Sequence, residues 1–219
     1  EPALAKVDRT ATVVFVINHR SNLDYILVTY LASQTSALSY AVGEWARVAG
    51  LSSLIRLMGA YFIRRDSGNA LYRRVLARYV HAATAAGVTQ AVFPEGGLSR
   101  TGALQPPKLG LLAYMVGGFD PNGPRDLVFV PVGLNYDRVL EDRVLTTAAA
   151  TPKGQRPRFA FELGTFLGFA LRNLLGRLTG RWYRYGYACV SFGRPLSLRR
   201  HLGERGVDLR SLPEARRFP

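Results

Sequence analysis

The stretch TVVFVINHRSNLDYILVTYLA, residues Thr12 to Ala32, decides the fold. Its first six residues, Thr12–Ile17, are β-branched or aromatic throughout, the composition of a strand buried on both faces. The apolar run stops at Asn18-His19. A helical pattern follows from about Ser21 to Ala32, with Ser21 or Asn22 able to cap it. A buried strand that feeds a helix through a short polar turn is the opening of an α/β fold.

The pattern repeats outward from this stretch. Further strands are predicted at Leu38–Val42, Ala60–Ile63, Gln90–Phe93, Leu127–Val132, Arg158–Leu163 and Ala188–Phe192. Helices are predicted at Glu44–Met58, at Asn69–Ala86 and at Lys108–Val116, the last started by Pro106-Pro107. In the long helix Leu71, Val75, Leu76 and Val80 are expected to face inward, and Gly87 to end it. Pro131 implies a strand end, a bulge or an edge, because proline cannot donate to a ladder. The expected class is α/β, a mixed, largely parallel central sheet flanked by helices. Thr151–Pro157 reads as a loop, so residues 1–219 are expected to form one domain. The chain begins at Glu1-Pro2, which suggests a piece of a longer protein.

Basic residues number 29 against 15 acidic ones, a net charge of +14, and only Lys6, Lys108 and Lys153 are lysines. Such a field attracts phosphorylated substrates, anionic lipid or nucleic acid. No recognised nucleic-acid reader pattern accompanies it. The lone Cys189 excludes an internal disulfide framework and a cysteine metal cluster, and it fits a reducing setting. No signal peptide and no run of 18 apolar residues occurs in this sequence. His81, on or beside the solvated face of its helix, and His201, in a basic tail, make no metal spacing with His19.

His19, Glu95 and Gly133 each follow the carboxyl end of a predicted strand, where open α/β sheets bind ligands. Asp24 falls in the first turn of the helix after His19. From there a carboxylate can reach back to one imidazole nitrogen and leave the other as a base. No nucleophile is evident beside the pair, so direct transfer to a hydroxyl is simpler than a covalent intermediate. The same residues also suit a capping histidine followed by a favourable first-turn acid. Arg64 and Arg65 end the segment GAYFIRR, where guanidinium forks suit phosphate. The glycine-rich turn FPEGGLSRTG carries Glu95, Ser99 and Arg100. Its Gly96-Gly97 amides could line an anion site, yet it lacks the Gly-Lys-Ser/Thr of a nucleotide P-loop. Lys108 lies at a helix N-terminus, where the macrodipole disfavours it.

Four segments stand in order: NHRSNLDY (18–25), GAYFIRR (59–65), FPEGGLSRTG (93–102) and VPVGLNYDRV (130–139). Together they resemble the four blocks of the glycerolipid acyltransferase family. The FIRR and NYDRV pieces look more like the glycerol-3-phosphate acyltransferases of the bacterial membrane-bound and mitochondrial type. The resemblance implies that His19 deprotonates a glycerol 3-phosphate hydroxyl and that Asp24 orients it. It implies that Arg65, with Arg64, contributes to a phosphate site, and that Glu95 and Gly96 bind the acceptor with Ser99 and Arg100 nearby. Pro131 belongs to the block that shapes the acyl-donor region. The co-substrate would be an acyl thioester on coenzyme A or acyl carrier protein, with no further cofactor and no metal. Leu98 stands where the family commonly has arginine, so Arg100, Lys108 or Arg138 is expected to supply the missing cation.

From Arg172 onward 11 arginines face three acids, and LGTFLGFALRNLLGRLTGRWYRYG mixes Leu and Phe with arginines and ends in aromatics. Such a segment suits peripheral binding to an anionic membrane surface, here the cytoplasmic face. It also suits a helix packed on the sheet with a solvated arginine face. Two other readings remain open: a 1-acylglycerol-3-phosphate acyltransferase, and a non-catalytic basic lipid-binding module.

Overall fold

The computed structural model describes residues 7–33, 38–43, 53, 56–57, 59–64, 68–99, 101–139, 142–150, 168, 171–172, 174–180 and 186–211. The elements in chain order are β1 (Thr12–Ile17), α1 (Leu23–Ser33), β2 (Leu38–Gly43), β3 (Ala60–Ile63) and α2 (Ala70–Ala85). There follow β4 (Thr89–Val92), α3 (Gly110–Gly117), β5 (Leu127–Tyr136), α4 (Asp142–Ala150), β6 (Ala188–Phe192), β7 (Leu196–Ser197) and α5 (Leu198–Arg205). The helix expected at Glu44–Met58 and the strand expected at Arg158–Leu163 lie outside the described residues, wholly or for the most part.

Among the described residues the strands form one sheet in the order β3-β2-β4-β1-β5-β6, with β7 also pairing on β5. β1, β2, β3, β4 and β5 run parallel, and β6 and β7 pair antiparallel to β5. The mixed, largely parallel sheet expected from the sequence is therefore present. Both faces are covered, which is why β1 reads as an unbroken apolar run. Phe15 and Ile17 of β1 join Val28 of α1 in the core on one face. Val14 joins Val80 of α2, Met115 of α3 and Leu198 and Leu202 of α5 on the other.

This order contains a reversal. From β1 the chain leaves through α1 towards β2 and β3, whereas from β4 it leaves through α3 on the opposite face towards β5. β1 and β4 are neighbours, so their outgoing connections part and open a crevice at their carboxyl ends.

Several expectations are corrected. Leu71 and Val75 of α2 are 69% and 59% exposed and face outward. The packed face is Leu76, Val80 and Thr84, because Thr84 is anchored to the sheet. Its carbonyl accepts from Thr12 Oγ1 at 2.8 Å and its Oγ1 from Gln90 Nε2 at 2.9 Å. That polar anchor sets the rotation of the helix and turns Leu71 and Val75 away. The helix otherwise begins at its expected cap, with Asn69 Oδ1 accepting from the Tyr72 amide, and ends before Gly87 at φ 81°. The third helix starts at Gly110, so Lys108 precedes it rather than opening it.

β5 runs on to Tyr136, so Gly133 lies inside a strand rather than after one. The parallel pairing with β1 does stop at Ile17↔Val132, and beyond it β5 pairs only antiparallel with β6 among the described strands. Pro131 is also interior. β7 pairs at 128–129 and β6 at 132–136, and the Pro131 carbonyl accepts from Gly193 N–H in the gap between them. Proline has no N–H to return to Gly193, and the paired β5–β6 ladder stops at Val132↔Phe192.

His81 does not lie on the solvated face. Its ring packs against Gly118, where an added Cβ would come within 2.5 Å of the ring. Burial, helped by the charge of Arg78, lowers its pKa below the ordinary 6.5, against a raising backbone hydrogen bond at Tyr114. The folded state then binds fewer protons than the unfolded one, so stability is lost as pH falls through about 6.5. His81→Gln should lose less of its thermal midpoint than the unsubstituted protein between about pH 7.5 and about pH 5.5. Equal losses in the two proteins would show that His81 carries none of the effect.

Candidate active site

β1 must leave the sheet after Ile17 while β5 continues, and Asn18 manages the divergence. Its Nδ2 donates to the Leu134 carbonyl at 2.9 Å, and its Oδ1 accepts from the Leu134 N–H at 2.6 Å. The side-chain amide stands in for the next peptide of the strand. The main chain is thereby free to turn at His19.

His19 is buried, and both its backbone groups are held by the turn after β4. Its N–H donates to Glu95 Oε1 at 3.0 Å, and its carbonyl accepts from the Ser99 N–H at 2.9 Å. The imidazole lies against Phe93 and Tyr25, with ring centroids 4.6 and 5.1 Å away. Nδ1 lies 2.9 Å from Asp24 Oδ2, and Nε2 lies 3.1 Å from the Tyr25 hydroxyl.

Asp24 is fully buried in the first turn of α1. Its Oδ2 accepts from the Arg20 N–H at 2.6 Å and the Ser21 N–H at 3.0 Å as well as facing His19. Its Oδ1 accepts from the Tyr136 hydroxyl at 2.6 Å. A group that accepts from backbone amides at one oxygen and a hydroxyl at the other is bound as a carboxylate. Nδ1 of His19 must then carry the proton it shares with Asp24, and Nε2 faces the Tyr25 hydroxyl. The arrangement fixes the ring orientation, with Nδ1 on the Asp24 carboxylate and Nε2 towards the Tyr25 hydroxyl.

Glu95 is buried at the turn after β4. While Oε1 holds His19, Oε2 accepts from the Gln105 N–H at 3.1 Å, so the carboxylate staples two chain segments together. Gly96 sits at φ 67°, and a Cβ there would meet Cδ of Lys108 at 2.9 Å. The positive φ is what calls for glycine, since the lysine side chain could shift aside. Its N–H donates to the Phe93 carbonyl, so this amide closes the turn instead of facing an anion. Lys108 donates its own N–H to the Pro94 carbonyl and lays its side chain over Gly96. Ser99 is buried, with its hydroxyl donating to the Ala103 carbonyl at 2.6 Å.

The remaining expected residues are less central. Arg64 follows β3, three strand positions from β1, about 14 Å away at ordinary strand spacing. Its N–H donates to the Tyr72 hydroxyl and its guanidinium lies 5.9 Å from that ring. Arg138 is exposed just past β5, and Pro131 is exposed on β5 against Gly193. Arg65 and Arg100 lie outside the described residues. Asn18, Tyr25, Phe93, Gln105 and Tyr136 complete the cluster without having been singled out from the sequence. Asn18, Tyr25, Phe93 and Tyr136 stand within the four quoted segments, whereas Gln105 carries no local signal. Among the described residues no group of three or more His, Cys, Asp or Glu side chains could hold a metal ion.

A buried histidine–carboxylate pair thus stands at the switch point of the sheet, where open α/β sheets bind ligands. The family profile described as Acyltransferase matches residues 4–135, and the chain belongs to that family. Among its curated relatives, a glycerol-3-phosphate acyltransferase of Pseudomonas fluorescens strain SBW25 is 34% identical over 209 residues, covering 94% of this chain and 24% of the relative. One of Pseudomonas paraeruginosa is 34% identical over 201 residues, covering 90% and 22%. The chain thus spans about a quarter of the length of the relatives it matches. A crystal structure of the 1-acyl-sn-glycerophosphate acyltransferase from Thermotoga maritima aligns with a TM-score of 0.45 at 17% identity, over 94% of this chain and 69% of that one.

Asn18→Ala removes the latch and strands two part-buried backbone groups of Leu134. Urea denaturation should report a loss of about 1–3 kcal/mol. Asn18→Asp should also destabilise, since a carboxylate cannot donate to the Leu134 carbonyl. An unchanged midpoint for both would refute the latch.

Proposed function

We propose that residues 1–219 form the acyltransferase domain of a longer glycerol-3-phosphate O-acyltransferase, with His19 as the general base and Asp24 as the residue that orients it. The observation that carries this reading is the His19 Nδ1–Asp24 Oδ2 contact of 2.9 Å, which leaves Nε2 as the basic nitrogen. That the 34%-identical relatives are glycerol-3-phosphate acyltransferases supports the acceptor.

In this reading the acceptor hydroxyl takes the place of the Tyr25 hydroxyl at Nε2. The base removes the proton as the oxygen attacks the thioester carbonyl, worth about 10²–10⁴ in rate. The new C–O bond gives a tetrahedral intermediate. Its collapse breaks the C–S bond, and the imidazolium returns the proton to the leaving thiol. The products are lysophosphatidate and a free thiol, from acyl-CoA or acyl carrier protein. No net redox change or metal step is needed to balance the reaction.

The acceptor phosphate needs cations, and Lys108 is the best-placed described candidate for the charge that Leu98 does not supply. Its side chain lies over Gly96, in the same turn whose Glu95 holds His19. Arg64 and Arg65 at the end of β3, Arg100 and Arg138 complete the proposed acceptor set, with Glu95, Gly96 and Ser99 shaping the turn. Pro131 is proposed to border the donor side.

The domain is proposed to bind an anionic membrane surface peripherally. Among the described residues no helix is long and apolar enough to cross a membrane. Leu171, Leu174, Leu175 and Leu178 are exposed in a helical stretch that also carries Arg172 and Arg177. Their spacing of three, four and seven residues puts them on one stripe, the arrangement of an interfacial helix.

Full-length protein given a fatty acyl thioester and glycerol 3-phosphate should release lysophosphatidate. His19→Ala should lower kcat by about 10²–10⁴. Lys108→Ala should raise the KM for glycerol 3-phosphate with a smaller effect on kcat. Product formation unaffected by His19→Ala, or no product from the intact protein, would refute the assignment. In flotation assays, binding to vesicles should rise with the fraction of anionic lipid and fall with salt. Binding indifferent to both would remove the membrane reading.

A further inference from the structure

Asp24 receives a hydrogen bond that the histidine–carboxylate pair does not itself require. The Tyr136 hydroxyl donates to Oδ1 at 2.6 Å, across 112 residues of sequence. The donors from Arg20 and Ser21 converge on Oδ2, as does His19 Nδ1. A carboxylate held only at Oδ2 could rotate about Cβ–Cγ and exchange the oxygen that His19 meets. The second anchor at Oδ1 fixes its plane.

The placement of Tyr136 is built into β5. Side chains alternate along a strand, so Val128, Val130, Val132, Leu134 and Tyr136 share the face that packs against α1. Four of them fill the core, and the fifth arrives above Asp24. The Asn18 latch holds Leu134, two residues earlier, so the strand end that carries Tyr136 is pinned to β1 beside the same site. The hydroxyl reaches the carboxylate and not the imidazole, so it acts through Asp24.

We infer that Tyr136 is a positioning residue of the acyl transfer, locking the Asp24 carboxylate so that Oδ2 stays on His19 Nδ1 as a proton arrives at and leaves Nε2. The inference rests on the acyl-transfer reading given above. It predicts a loss in kcat rather than in acceptor affinity, because the locked geometry matters most while the imidazole is charged.

The test uses full-length protein with an acyl thioester and glycerol 3-phosphate, comparing the unsubstituted protein with Tyr136→Phe, Asp24→Asn and the double variant. Tyr136→Phe should lower kcat about tenfold, with the acceptor KM within about twofold. On the Asp24→Asn background the same substitution should cost nothing further, since the group it locks is no longer a carboxylate. Melting curves should keep Tyr136→Phe within a few degrees of the unsubstituted protein. An active parent with unchanged kcat in Tyr136→Phe would overturn the Tyr136 assignment alone. So would losses that multiply in the double variant, or a Tyr136→Phe protein that does not fold, because either marks a structural role. An inactive parent would overturn the acyl-transfer reading itself.

Discussion

A carboxylate taken wholly out of water costs several kcal/mol unless its lone pairs are met. Asp24 meets that demand with two backbone amides, an imidazole N–H and a tyrosine hydroxyl. Each donor comes from a segment that the sheet must bring into place. The amides belong to the turn after β1, the imidazole to its end and the hydroxyl to the end of β5. The buried charge therefore does more than bind His19. It makes the correct arrangement of these segments cheaper than any partial one, because losing a donor leaves a buried anion undersatisfied.

The strand order provides the space in which this happens. With β1 and β4 adjacent and their outgoing connections on opposite faces, the carboxyl ends of both strands face a shared crevice. His19 comes from one lip and Glu95 from the other, and the two are joined through the His19 N–H. This edge is thus cross-tied through the main chain of His19, which is carried by a rigid part of the scaffold and not by a free loop.

Much of this could be read in the sequence, for reasons that differ by element. β1 and the strand core of β5 are apolar runs with no competing periodicity, so both type and place were evident. The His19–Asp24 pair was legible because five residues across a strand–turn–helix fix the geometry locally. What local pattern does not encode is how a helix is rotated. In α2, Leu71 and Val75 fit an inward stripe as well as Leu76 and Val80 do, and only the Thr84–Gln90–Thr12 hydrogen bonds decide between them. The length of β5 was missed for a similar reason. Gly133, Asn135 and the interior Pro131 look like a strand ending, yet β6 and the Asn18 amide hold the extension in place. Glu95 stands out in the sequence beside its paired glycines, but its two backbone partners, His19 and Gln105, are invisible without the fold.

The long reach of the Tyr136–Asp24 bond has a consequence for the order in which the protein is made. A ribosome delivers Asp24 before the last of its donors, which follows more than a hundred residues later. β4, which must slot between β2 and β1, also arrives after both of its neighbours. Until residue 136 has emerged and β5 has zipped onto β1, the emerging chain has His19 and Asp24 without the strand that carries Tyr136 to them. The full set of donors around Asp24 then forms in one step, when β5 joins the sheet, rather than growing in by degrees.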